Sequence, residues 1–147
     1  MLQNSLWHPY MPPSPLTPQI VTLLVRSYAN QGAGNEAIAC CQKATELDPF
    51  NPRLHYLLAT LLSEYAREDD AGLSLKRTLY LDPDFAIAHF ALANLARRQH
   101  RPQDMQRHLR NTHNALRPYR PDDLVPEAEG LTVKGLRELI TLMLTKK

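Results

Sequence analysis

The residues of this 147-residue chain with the most chemistry to offer are six histidines, the pair Cys40–Cys41, the pair Asp69–Asp70 and a run of arginines. A zinc grip on a helix needs two histidines at i and i+4 on one face, and His108 and His113 stand five apart, on different faces. His55 and His89 lie 34 residues apart, a spacing that repetition of a structural unit explains better than shared ligation. A bond between neighbouring cysteines would strain the backbone, so Cys40 and Cys41 read as two small apolar side chains in a helix. Asp69 and Asp70 sit where a turn opens a helix, a place where carboxylates cap the end and favour its dipole. The five glycines never form a phosphate-cradling loop between a strand and a helix. No catalytic residue, no metal and no cofactor are expected, and the chain reads as a non-enzyme.

The arginines point elsewhere. Net charge is only +2, too small by itself to announce a nucleic-acid or membrane partner. Its distribution is uneven: seven arginines fall between Arg97 and Arg120 against the single acid Asp104, and then Asp122, Asp123, Glu127 and Glu129 follow closely. A basic helical module binding nucleic acid is the alternative this raises. It is the weaker reading, because the basic residues belong to the last hairpin rather than to every unit, and the acidic stretch would neutralise them internally. No apolar run approaches the ~18 residues of a membrane span, and the first residues lack a basic stretch followed by an apolar core, so a cytoplasmic setting without membrane insertion is expected.

Such side chains need elements to position them. Leu and Ala outnumber Val and Ile several-fold, which favours helices over strands and an all-α class. Leu47-Asp48-Pro49 recurs as Leu81-Asp82-Pro83, 34 residues on, and each proline closes one helix and lets the next begin. Within this frame the first helices run near 19–31, 53–67 and 86–99 and the second near 35–46, 70–81 and 102–116. Thr17 before Pro18, Asn35 and Asp69 or Asp70 are the expected N-caps. Leu24, Leu58 and Leu92 fall at one position of successive units and form the expected core ladder. Leu136, Leu139, Ile140 and Met143 recur at helical spacing in a last helix.

At these positions the chain resembles the tetratricopeptide repeat (TPR): Leu24, Tyr28, Gly32, Ala37, Ala44 and Pro49 fit the first unit, and Leu58, Ala59, Ala71 and Pro83 the second. The third keeps Leu92 and Ala93 but has Met105 and Thr112 where small residues are usual, which suggests looser packing there. The resemblance implies a right-handed α-solenoid of three helix hairpins plus a C-terminal capping helix. The expected organisation is a flexible Pro-rich segment over 1–17, three helix pairs over 18–117, a linker over 118–130 and the cap over 131–145. In such stacks the first helix of each pair lines a concave groove. Tyr56 and Thr60 on one such helix and Phe90, Asn94 and Arg97 on the next, with Arg26, Arg53 and Arg98 nearby, are the candidate partner-binding residues. Aromatic rings, an amide and arginine forks suit a protein or peptide segment, acidic ones above all.

One stretch is more specific. Arg77 to Gln99, followed by Glu129-Gly130-Leu131-Thr132 and Leu136-Arg137-Glu138-Leu139-Ile140, resembles the C-terminal TPR region of CheR-type chemoreceptor methyltransferases. That resemblance implies a regulatory domain in bacterial chemosensory signalling, docking a chemoreceptor, a response regulator or the catalytic half of an S-adenosylmethionine-dependent parent enzyme.

Overall fold

The structure is a computed structural model and describes residues 17–145. The segment expected to be flexible lies, up to residue 16, outside the described residues. Seven helices follow in order: α1 (Pro18–Asn30), α2 (Gly34–Leu47), α3 (Pro52–Glu64), α4 (Glu68–Leu81), α5 (Ala86–Arg98), α6 (Pro102–Ala115) and α7 (Val133–Thr145). Among the described residues the one extended pairing is an isolated bridge between Leu124 and Thr132. No described helix is long and apolar enough to cross a membrane. The architecture is an all-α solenoid in which α1–α2, α3–α4 and α5–α6 form hairpins, each packed on the next, with α7 against α6.

The period is written most clearly in the backbone. Gly32, Ala66 and His100, each 34 residues from the next, all take left-handed angles (φ 75°, 61° and 57°). In each case the following amide reaches back across the helix end: Ala33 donates to the Tyr28 carbonyl at 2.8 Å, Arg67 to Leu62 at 2.8 Å and Arg101 to Ala96 at 2.9 Å. This closes the first helix with its last carbonyls satisfied and leaves one residue before the second helix begins. Hence Ala33, Arg67 and Arg101 occupy the N-cap positions, without side-chain caps. Asn35, Asp69 and Asp70, expected as caps, lie inside the first turn, where the acids still favour the dipole. Two of the first helices are capped by side chains: Thr17 Oγ1 accepts from the Ile20 amide at 3.3 Å, and Asn51 Oδ1 from the Arg53 amide at 3.1 Å, with Pro18 and Pro52 opening the helices, whereas α5 begins after Phe85 without a side-chain cap.

The two equivalent histidines have a repeated structural task. Nε2 of His55 donates to the Pro49 carbonyl and Nε2 of His89 to the Pro83 carbonyl, both at 2.8 Å, tying each first helix to the Leu-Asp-Pro turn before it. Cys40 and Cys41 are both free, and Cys41 is fully buried in α2 with its thiol directed at the Leu54 carbonyl. Burial, with Cys40 beside it, pushes that thiol up to about 12, far from the reactive range.

The core has two parts, one centred on α1, α2 and α3 and a larger one that runs from Ala59 through α4, α5 and α6 into α7. Leu58 and Leu92 are buried as expected, but Leu24 is 39% exposed. In α1 the burying residues are Val21 and Val25, because no described element covers the outer face on which Leu24 sits. Met105 packs on the core and Thr112 is fully buried, its hydroxyl satisfied by the His108 carbonyl at 2.8 Å, so the third hairpin is filled rather than loose. In the cap, Val133, Leu136 and Ile140 face the core while Leu139 points outward.

Candidate functional site

The inner wall is made by α1, α3 and α5, and its groove has two ends that share Tyr56, Thr60 and Glu64. The first end is an open cavity of about 560 Å³, where Ser63, Ala91, Asn94, Leu95 and Arg98 join the shared residues. Tyr56 is half-buried, its ring 5.3 Å from that of Phe85 and tilted by 35°. Thr60 Oγ1 donates to the Tyr56 carbonyl at 3.1 Å. Arg98 is committed across the hairpins, with Nε donating to Glu68 Oε2 at 2.7 Å and a terminal nitrogen to Ser63 Oγ at 3.3 Å. Asn94 is thus the half-buried amide best placed to meet a peptide backbone.

The second end, about 210 Å³, is lined by Thr22, Arg26, Arg53 and Leu57 and, unexpectedly, by Glu127 and Glu129. These two glutamates belong to the segment between α6 and α7, which was expected to be a simple linker. Arg53 Nε donates to Glu127 Oε2 at 2.8 Å, and Arg26 lies 3.8 Å from Glu129 Oε1. The acidic stretch therefore answers the arginines of the first two hairpins. The internal neutralisation of Arg97 to Arg120 expected from sequence is not what these glutamates do. Burial raises the Tyr56 hydroxyl above its ordinary value, the neighbouring Thr60 opposes the rise, and the Glu129 and Glu127 carboxylates add to it.

Of the eight residues singled out from sequence, six line the groove: Tyr56, Thr60, Asn94 and Arg98 at or beside the open end, and Arg26 and Arg53 at the other. Phe90 packs against the larger core, and Arg97 is exposed and lines neither cavity. The stripe that α5 turns to the groove is Ala91, Asn94 and Arg98, which keeps Asn94 of the expected stripe but has Ala91 and Arg98 in place of Phe90 and Arg97. Glu64, four residues after Thr60 on α3, was legible as a groove neighbour from helical spacing, whereas Glu68 opens α4 and reaches the groove only through the turn at Ala66. Nothing local in the sequence brings Glu127 and Glu129 to α1 and α3. Among the described residues no three histidine, cysteine or acidic side chains stand close enough to hold a metal ion.

This fold and groove define the class: a helical-repeat α-solenoid with an open inner wall. Residues 40–72, from the middle of α2 to the first turns of α4, match the family model described as tetratricopeptide repeat, which together with the fold supports a TPR domain. The chain is similar in structure to the type III secretion translocator chaperone SycD of Yersinia enterocolitica, at 17% identity over 89% of this chain and 91% of that one, with a TM-score of 0.71. A structure of SycD in complex with a peptide of the translocator YopD matches at 16% identity over 86% and 88% of the two chains, with a TM-score of 0.69. A crystal structure of MamA matches at 20% identity over 89% and 78%, with a TM-score of 0.61. No curated protein matches the chain by sequence.

Proposed function

We propose that this chain is a non-catalytic protein–protein interaction module that seats a segment of a partner protein along its inner wall. Tyr56, Thr60, Asn94 and Arg98 form the open end of that seat, Arg26 and Arg53 the other, and Phe90 and Arg97 flank it. The observation that carries the reading is the 560 Å³ open cleft, in which an amide and hydroxyls sit among apolar side chains on rigid helices. The presence of a YopD peptide on SycD, a chain of the same fold, supports a peptide as the kind of occupant. The finer proposal is the regulatory TPR domain of a CheR-type protein-glutamate methyltransferase, working in the cytoplasm on a chemoreceptor, a response regulator or the catalytic domain. Its support is the resemblance over Arg77 to Gln99 and the segments that follow.

Thr60→Trp tests the seat. Thr60 is exposed, so the indole fills the cleft without entering the core. Binding of cytoplasmic chemoreceptor fragments, measured by calorimetry, should weaken at least about tenfold while the helical circular dichroism is kept. A chain that ignores those fragments and binds mixed RNA tightly would remove the proposal in favour of nucleic acid.

A further inference from the structure

We infer that the Arg26–Arg53 end of the groove recognises a turn-forming protein segment bearing two carboxylates two residues apart, taken in place of the chain's own Glu127 and Glu129 side chains. The inference rests on the reading of the inner wall as a peptide seat and adds the chemistry of what sits there.

The segment that occupies this end has a fixed stem, a core-packed Ala128 at its tip and two lightly held glutamate side chains on either side of it. The stem is anchored by buried Val125, by the Val125 amide donating to the Leu131 carbonyl at 2.9 Å and by the Val133 amide donating to the Asp123 carbonyl at 2.8 Å. It delivers the tip from the far end of the stack to α1 and α3. There two glutamates meet two arginines in the manner of a bound acidic peptide. Both hold their contacts at positive φ, 62° for Glu127 and 52° for Glu129, angles that a side chain with a Cβ rarely adopts. Left-handed strain of this kind costs as much as an exposed ion pair returns. The Arg26–Glu129 pair is long and open to solvent, with side chains 65% and 85% exposed. The Arg53–Glu127 pair is shorter but still reaches solvent, so the two carboxylates are displaceable, although the stem and the core-packed Ala128 are not.

Charge then fixes how a partner enters. With the tip seated, Glu64, Glu127 and Glu129 outnumber Arg26 and Arg53 along this cavity, and a second acidic segment is repelled. With the Glu127 and Glu129 side chains swung away, the two guanidinium groups face Glu64 alone and accept carboxylates at the spacing these two residues display. A peptide, rather than a polyanion at large, is favoured because the template is a stretch of polypeptide flanked by apolar Leu57.

The probe is a fluorescein-labelled Val-Pro-Glu-Ala-Glu-Gly peptide, the sequence of residues 125–130, titrated by anisotropy into the intact chain. Glu127→Gln with Glu129→Gln should tighten its binding at least about fivefold over the native chain, the size expected from removing an internal competitor held by exposed ion pairs. Arg53→Gln added to that double variant should abolish the gain, and a Gln-Ala-Gln peptide should show none. Equal affinity for native and double-variant chains, a gain that survives Arg53→Gln, absence of binding to the double variant, or equally strong displacement by oligouridylate would each overturn the inference. Its failure is distinguishable from that of the peptide-seat reading. If only the diacidic recognition is wrong, Thr60→Trp still blocks the receptor fragments; if the seat itself is wrong, Thr60→Trp leaves them bound.

Discussion

The two ends of the inner wall meet on α3, where they share Tyr56 and Thr60, yet one is an open cleft and the other is partly filled by the chain's own acids. At the open end the charged group, Arg98, is satisfied within the repeats by Glu68 and Ser63, so the cleft keeps its shape without help from outside the stack. At the covered end Arg53 and Arg26 find their partners only in a non-repeating loop some 70 to 100 residues away in sequence. A repeat array thus makes a uniform wall, and the irregular segment after it decides which part of the wall is accessible.

The difference can be broken from beneath the loop. Leu116 is fully buried where α6 passes into the loop, and its carbonyl accepts from Arg137 at 3.3 Å. Leu116→Ala should cost about 2–5 kcal/mol in urea denaturation, the range for a buried leucine truncation, and should speed amide exchange through Val125 to Leu131. Unchanged exchange there would mean that the loop is held by its tip. Tyr56, shared by both ends, comes next. It packs on the Phe85 ring, so Tyr56→Ala should destabilise by about 1–3 kcal/mol, less than a fully buried aromatic loses. Tyr56 and Phe90 both touch the core, so exposed Thr60 is the cleaner place to weaken binding with the fold intact.

Left-handed residues sharpen the comparison further. Ala66 lines the open end and Glu127 the covered end, both at positive φ. Ala66→Gly relieves strain and loses no polar contact, so a gain of about 0.5–1 kcal/mol is expected. Glu127→Gly relieves similar strain but forfeits the Arg53 pair, and its net change should lie within about 0.5 kcal/mol of zero. Equal gains at both would show the Arg53 contact to be worth nothing.

The smallest effect is in the Tyr56 titration, readable by NMR of the ring carbon. Its hydroxyl is raised above the ordinary value of 10.0, so the folded chain keeps the proton longer than the unfolded one. The related stability is complete below pH 10 and declines as pH rises from there through the folded value. Glu127→Gln with Glu129→Gln should lower that folded value and narrow the window, while burial still holds it above 10. No movement would place the glutamates away from the tyrosine in solution.

Much of the stack was legible in the residue order. Leu-Asp-Pro at a fixed interval, the helical leucines and the equivalent histidines all report contacts made within one unit or with the next, over tens of residues. Leu24 escaped because its letter matches Leu58 and Leu92 while its environment does not: a ladder position is buried only if another hairpin covers it. The α5 stripe was misjudged by less than one residue's rotation of about 100°: Asn94 was kept, but Ala91 and Arg98 face the groove in place of Phe90 and Arg97, since spacing defines a face but not which neighbour it meets.

Sequence alone determined the local grammar of this protein: where helices stop, which turn returns the chain, and the 34-residue interval, because prolines, left-handed turns and apolar periodicity act over a few bonds. Tertiary structure alone decided that Val125 is buried, that the loop crosses to the inner wall and that Glu127 and Glu129 face Arg53 and Arg26. Those contacts join parts of the chain with no local pattern in common, and only the assembled stack brings them within reach of an ion pair.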